Sequence, residues 1–374
     1  MQTKTPVLSF ASAVLVVAAL TPTFPQTAHA AETGYDGGFF VEGEKGEGLY
    51  RIRFNGRLQT RLTLEMFEAE GKDAEIALAV QRARFGFEGY FLTKALTYKF
   101  QADFGAGKVG LKDYYWDYAF SDGVHLRAGQ WKKPFSRQQI TSSGRLELVD
   151  RAATDKAFGA GRDVGLGLHS NYEEADGFNW AIGVFNGAGE NVLPDVWQPE
   201  GVVRAGYTSA GFGKGQYSEG DLECADKPEV CGLRWAVAAS VYADGGMPKD
   251  GNKGQVVSEF DLVLKVSGFA LSGAFFVDFN LGEDADGGGM DKLGFYAQAS
   301  YYIAAAKIAP IFRFSSIMPD SDAVAKTNEA TLGISFYPSR HNLKWQTDAT
   351  MVMNALGDVS TTDWVIRTEA QLAF

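Results

Sequence analysis

Residues 51–66 read RIRFNGRLQTRLTLEM. Taken alternately, Leu49, Arg51, Arg53, Asn55, Arg57, Gln59, Arg61, Thr63 and Glu65 form one set, and Tyr50, Ile52, Phe54, Gly56, Leu58, Thr60, Leu62, Leu64 and Met66 form the other. The first set is polar apart from Leu49, and the second is apolar apart from Thr60. A period of two belongs to a β-strand, whose successive side chains point to opposite faces. The segment therefore predicts a strand with one greasy face and one cationic face.

The alternation returns along the chain, bounded each time by Gly, Asp, Asn, Ser or Pro clusters with turn chemistry. QRARFGFEGYF sets Arg82, Arg84 and Glu88 against Ala83, Phe85, Phe87 and Phe91, and LTYKFQADF follows in the same manner. Continuing to TDWVIRTEAQLAF at the end of the chain, the pattern predicts sixteen strands and no amphipathic helix. The connections alternate in length: SDG at 121–123, SGF at 267–269, AAA at 304–306 and PSRHN at 338–342 are short, and those between them are longer. That is the rule of an outer-membrane barrel, with short periplasmic turns and longer outer loops. One connection, Ser209 to Cys231, is long where a short one is expected, so either that turn is elaborated or the strand count is wrong there.

A secreted β-sandwich or propeller, acting in binding or adhesion, would alternate too, but its apolar faces would meet in a dry core. Here the apolar rows have no partner layer in the sequence and carry aromatics at strand ends, such as Tyr114, Trp116, Tyr118 and Phe120, where interfacial girdles sit. The fold expected is an all-β, transmembrane, antiparallel up-and-down barrel of sixteen strands over residues 48–374, after a lead at 31–47.

Residues 1–30 read as a secretory signal peptide, from Lys4, the apolar run Val14–Leu20 and the small-residue site Ala28-His29-Ala30. Pro22 and Pro25 cut that run short of the roughly 20 residues a membrane-spanning helix needs. A net charge of −11 argues against nucleic-acid binding, whereas 27 Phe, 15 Tyr, 7 Trp and 44 Gly suit an exported, turn-rich β protein. The two cysteines, Cys224 and Cys231 in CADKPEVC, predict a disulfide in an oxidising compartment. Enzymatic readings find no support: His125, His169 and His341 lie in separate strands or turns without a Ser-containing motif, and no phosphate-cradling loop, metal-ligand spacing or cofactor motif is present.

The order QRARFGFEGYF, LTYKFQADF, LRAGQWKKPFS, LELVDRA, GRDVGLGL and GVFNGAG resembles the phosphate-selective porin O and P family of Gram-negative outer membranes, most specifically between Gln81 and Gly189. The resemblance implies a sixteen-stranded porin, trimeric, with an inward-folded third outer loop and basic residues along the pore. On this reading Arg51, Arg53, Arg57 and Arg61 form a ladder down the pore wall, widened by Arg82 and Arg84, with Arg127, Arg204 and Arg313 at inward parity on other strands. The candidate constriction loop, 132–161, brings Lys132, Lys133, Arg137, Arg145 and Arg151. Guanidinium groups in a low-dielectric tube lower the barrier for anions, which predicts a diffusion channel in the outer membrane passing small anionic solutes, phosphate or similar. A wall neutralised by Glu65, Glu88, Asp103, Asp113 and Asp117 would instead make a general or cation-tolerant porin.

Overall fold

The computed structural model describes residues 31–374 apart from 47, 69–72, 196, 226, 246–253, 282–288, 322–323 and 357–358. The signal peptide expected at 1–30 lies outside the described residues. A short hairpin, β1 (Glu32–Tyr35) and β2 (Phe39–Lys45), precedes β3 (Gly48–Met66) and the long β4 (Glu75–Asp103). β4 folds back on itself near Leu92, which adopts a positive φ of 66°. Its first arm pairs with β3, from Leu49↔Leu92 to Glu65↔Glu75, and its second arm pairs with β5 (Gly110–Ser121). Then follow β6 (Val124–Lys132), β7 (Arg162–His169), β8 (Gly177–Phe185), β9 (Glu200–Thr208), β10 (Arg234–Asp244) and β11 (Gln255–Val266). The wall continues through β12 (Phe269–Asn280), β13 (Gly289–Tyr301), β14 (Ile308–Pro319), β15 (Lys326–Ser339), β16 (Leu343–Leu356) and β17 (Val359–Ala373).

All neighbours are antiparallel and sequential, and β17 returns to β3 from Trp364↔Met66 to Ala373↔Arg57. With β4 counted as two arms, β3 to β17 make a closed barrel of sixteen strands. β17 and the residue after it pair with β3 as far as Phe374 opposite Gly56, and β2 pairs with the lower part of β3, from Phe39↔Phe54 to Lys45↔Gly48. The expected lead is thus a sheet element. The long connection after β9 contains no extra strand among its described residues; it forms short 3₁₀ turns, including Gly213–Tyr217, closed by a Cys224–Cys231 disulfide.

Burial runs opposite to that of a water-soluble protein. Leu58, Phe85, Val203, Phe312, Leu332 and Trp345 are exposed, while Gln59, Arg204, Arg313, Thr331 and Lys344 are buried. In a closed barrel the buried face is the interior, so the exposed apolar rows are the lipid-facing band. Leu332, midway along β15 and 66% exposed, reports on that band. Leu332→Arg is expected to cost about 2–4 kcal/mol of folding free energy in bilayers, seen as a lowered urea midpoint for refolding into vesicles.

Candidate permeation pathway

The third outer loop leaves β6 after Lys132 and turns into the barrel through two short helices, α1 (Arg137–Ile140) and α2 (Ala153–Phe158). Its backbone is held by inward side chains of the wall. Lys344 Nζ donates to Leu146 O at 2.6 Å, Val149 N to Asp348 Oδ2 at 2.8 Å, and Arg313 Nη1 to Asp150 O at 2.8 Å. Apolar anchors fix the same side: the Phe135 ring meets Tyr242 at 4.8 Å and the Phe158 ring stacks on Phe276 at 5.1 Å. The segment after β9 closes up from below, since Lys265 Nζ donates to Gly215 O at 2.9 Å and Glu147 N donates to Glu219 Oε2 at 2.8 Å. The lumen beside β9–β16 is therefore filled. Among the described residues, a cavity of about 470 Å³ stays open between the loop and the β3–β6 wall, reaching the periplasmic-turn residues Glu174 and Asn342.

Charge along this cavity is unevenly cancelled. Its four acidic side chains are Glu88, Asp113, Glu173 and Glu174. Each has a basic partner: Arg53 for Glu88, Arg162 for Asp113 (3.0 Å), Arg127 for Glu173 (3.1 Å) and Lys214 for Glu174 (2.6 Å). Lys99 adds a cation 3.7 Å from both Glu88 and Asp113. Three lining cations meet no carboxylate at ion-pair distance among the described residues. Arg57 donates to the Ser142 and Ser143 hydroxyls at 3.1 and 2.9 Å, Lys132 donates to the Ile140 and Thr141 carbonyls at 2.9 and 3.0 Å, and exposed Arg145 projects from the loop. Gly144 allows the first contact, because a Cβ there would lie 2.0 Å from Arg57 Nη1.

The remaining basic side chains have other surroundings. Arg51 is held by Glu42 (3.0 Å) and Asp36 (2.9 Å) of the lead hairpin, and Arg84 by Asp103 at 2.7 Å. Arg61 binds Glu369 at 2.9 Å and Asp150 at 3.2 Å, and Arg82 lies 3.9 Å from both carboxylates. Arg204 and Arg313 face inward but are buried beneath the loop, away from the open cavity. Lys133 pairs with Glu200, Arg137 with Asp261, and Arg151 donates to the carbonyls of Gln138 and Thr141. Sequence puts Lys99 on the polar face of its strand and Arg162 among the basic residues of the loop, but gives neither their place on the cavity nor the serine contacts of Arg57. Arg162 opens the GRD-x-G motif, which was the available signal.

Glu147, in the loop, has burial pushing its carboxyl up to about 7; nearby Glu219 adds to this, and Lys265 and Lys344 oppose it. A folded-state value raised above the unfolded one favours the folded state fully at pH below about 4.5, and that contribution is lost as the pH rises through about 7. Glu147→Gln should therefore raise the unfolding temperature relative to the parent at pH about 8 and leave it nearly unchanged at pH about 4, as measured by the gel shift of the heated barrel.

The sequence profile of the phosphate-selective porin O and P family matches residues 52–355. No curated protein sequence matches the chain. Among solved structures, the anion-selective porin from Comamonas acidovorans superposes with a TM-score of 0.58 at 14% identity, covering 87% of this chain and 100% of that one. The outer-membrane channel DcaP of Acinetobacter baumannii gives 0.59 at 12% identity, covering 87% and 97%. OmpT of Vibrio cholerae gives 0.54 at 12%, covering 88% and 99%. These likenesses establish the shared barrel fold, and the profile match over most of the chain establishes the kinship. With lipid-facing strands, a loop-narrowed lumen and that match together, the chain belongs to the phosphate-selective porin O and P family, porins that form diffusion channels in the outer membrane.

Proposed function

We propose that this channel favours small anions, phosphate among them, through the cations of the cavity between the third loop and the β3–β6 wall. The observation that carries the reading is the imbalance in that cavity: every lining acidic side chain has a basic partner, while Arg57, Lys132 and Arg145 meet no acidic side chain among the described residues. A narrow, low-dielectric passage makes such uncancelled charge felt by each passing ion. The anion selectivity named for the Comamonas acidovorans porin agrees with it. A homotrimer is part of the proposal, supported by the trimer form named for OmpT of Vibrio cholerae, whose TM-score is 0.50 at 12% identity.

The test is the zero-current potential of the purified protein in a planar bilayer under a potassium chloride gradient. A potential on the chloride side, with phosphate competing for the chloride current, supports the proposal. A potential on the potassium side overturns it and assigns a general or cation-tolerant porin.

A further inference from the structure

Away from the third loop, three neighbouring strands bring together a cluster that their sequence positions hide. Asp117 of β5, His125 of β6 and His169 of β7 meet near the periplasmic end of the wall, where His125 pairs in register with His169. Asp117 Oδ1 lies 3.0 Å from His125 Nδ1, and Oδ2 lies 2.7 Å from His169 Nε2 while also accepting Arg127 Nε at 2.8 Å. The two imidazoles stack with centroids 5.1 Å apart. His169 Nδ1, on the far side of its ring, accepts the backbone N–H of Asn171 at 3.0 Å.

That last bond decides what the cluster can bind. A neutral imidazole accepting at Nδ1 carries its hydrogen on Nε2, where it donates to Asp117. A metal on His169 would need the Nε2 lone pair, which this tautomer lacks, and would sit beside the Arg127 guanidinium. A proton needs neither: His125, whose Nδ1 faces Asp117, takes it at Nε2, and His169 takes it at Nδ1 by giving up the bond from Asn171.

We propose that Asp117, His125 and His169 form a proton-binding site that strengthens the anion preference of the passage as the periplasm acidifies. The proposal rests on the reading of the passage given above. Arg127 is shared by Asp117 and Glu173, so each proton taken up by an imidazole makes the wall more positive. Protonated His169 also sets Nδ1–H against the Asn171 N–H, which loosens the turn at 170–176 that carries Glu173 and Glu174 into the cavity. The groups facing the imidazoles are Asp117 from β5, Arg127 from β6, and Tyr172 and Glu173 from the turn, with Tyr115 of β5 and Lys99 of β4 standing beyond them beside Arg127 and Glu173. Among these side-chain types, imidazole is the one whose ordinary titration falls between about pH 5 and 8.

The full-length protein in planar bilayers tests this through the zero-current potential at about pH 7.5 and about pH 5, spanning the imidazole range. The anion-to-cation permeability ratio is expected to rise about twofold to fourfold on acidification, the effect of one or two added charges roughly 10 Å from the ion path. The double variant His125→Gln/His169→Gln should lose this rise. His341→Gln, which removes the remaining imidazole of the described chain, should keep it. A parent channel insensitive to pH over this range overturns the proposal, as does a rise that survives in the double variant or vanishes in His341→Gln. Should the double variant fail to form a barrel, amide exchange at Asn171 in the parent decides. Acceleration beyond the intrinsic pH dependence supports the site, and its absence refutes it. A channel that favours cations at pH 7.5 yet moves toward anions on acidification would sink the anion reading and leave the proton site standing.

Discussion

Replacing Arg57 and Arg145 together by glutamate is expected to carry the zero-current potential from the anion side to the cation side. Both side chains line the open cavity, and neither meets a carboxylate there. One unit charge about 6 Å from a passing ion contributes about 0.7 kcal/mol even at the dielectric constant of water. Two reversals change the wall by four units, so the permeability ratio should fall on the order of tenfold or more after screening by salt. Neutral Arg57→Gln/Arg145→Gln should lie between parent and reversal. Arg51→Gln is the comparison that isolates the cause, because Arg51 is already bound by Glu42 and Asp36 and its loss should leave the potential almost unmoved. An equal shift from Arg51→Gln would show that total charge, and not the uncancelled pair, governs the channel.

The barrel was legible in the chain because one physical cause, opposite solvents on opposite faces, writes itself into every strand with period two. Turn lengths then ordered the strands, and the long connection after β9 stood out because it broke their alternation. The division of labour among the arginines was not legible. Parity puts Arg204 and Arg313 on the inward face, but only the path of the third loop decides that they end beneath it while Arg57 stays at the cavity. Cancellation is likewise a tertiary property. Arg61 and its partner Glu369 are 308 positions apart, brought together by the closure of β17 on β3. The Asp117, His125 and His169 cluster escaped for the same reason, since cross-strand register joins residues that lack any recognisable ligand spacing.

Arg204→Leu should damage the protein more than any change at the cavity, and in a different quantity. The side chain is fully buried, with Nη2 2.6 Å from Asp261 and Nη1 3.5 Å from Glu259, both carboxylates being fully buried as well. Asp261 also takes Arg137 Nε at 2.6 Å, so this one network ties β9 and β11 to α1 at the start of the third loop. Removing Arg204 leaves two buried carboxylates sharing a single guanidinium, an imbalance expected to cost about 3–5 kcal/mol. Arg204→Lys keeps the charge without the planar fork that reaches both acids, and should recover only part of the loss. Adding Glu259→Gln to Arg204→Leu removes the stranded charge while Asp261 keeps Arg137, and should restore more stability than the lysine does. The unfolding temperature of the heated barrel on gels ranks the four proteins. Because Arg204 lies away from the open cavity, the zero-current potential of whatever Arg204→Leu channel still folds should match the parent, while its conductance rises as the loop loses its anchor. A changed potential with unchanged thermal stability would instead put Arg204 in the ion path and refute the division drawn between wall arginines that bind the loop and those that face the solute.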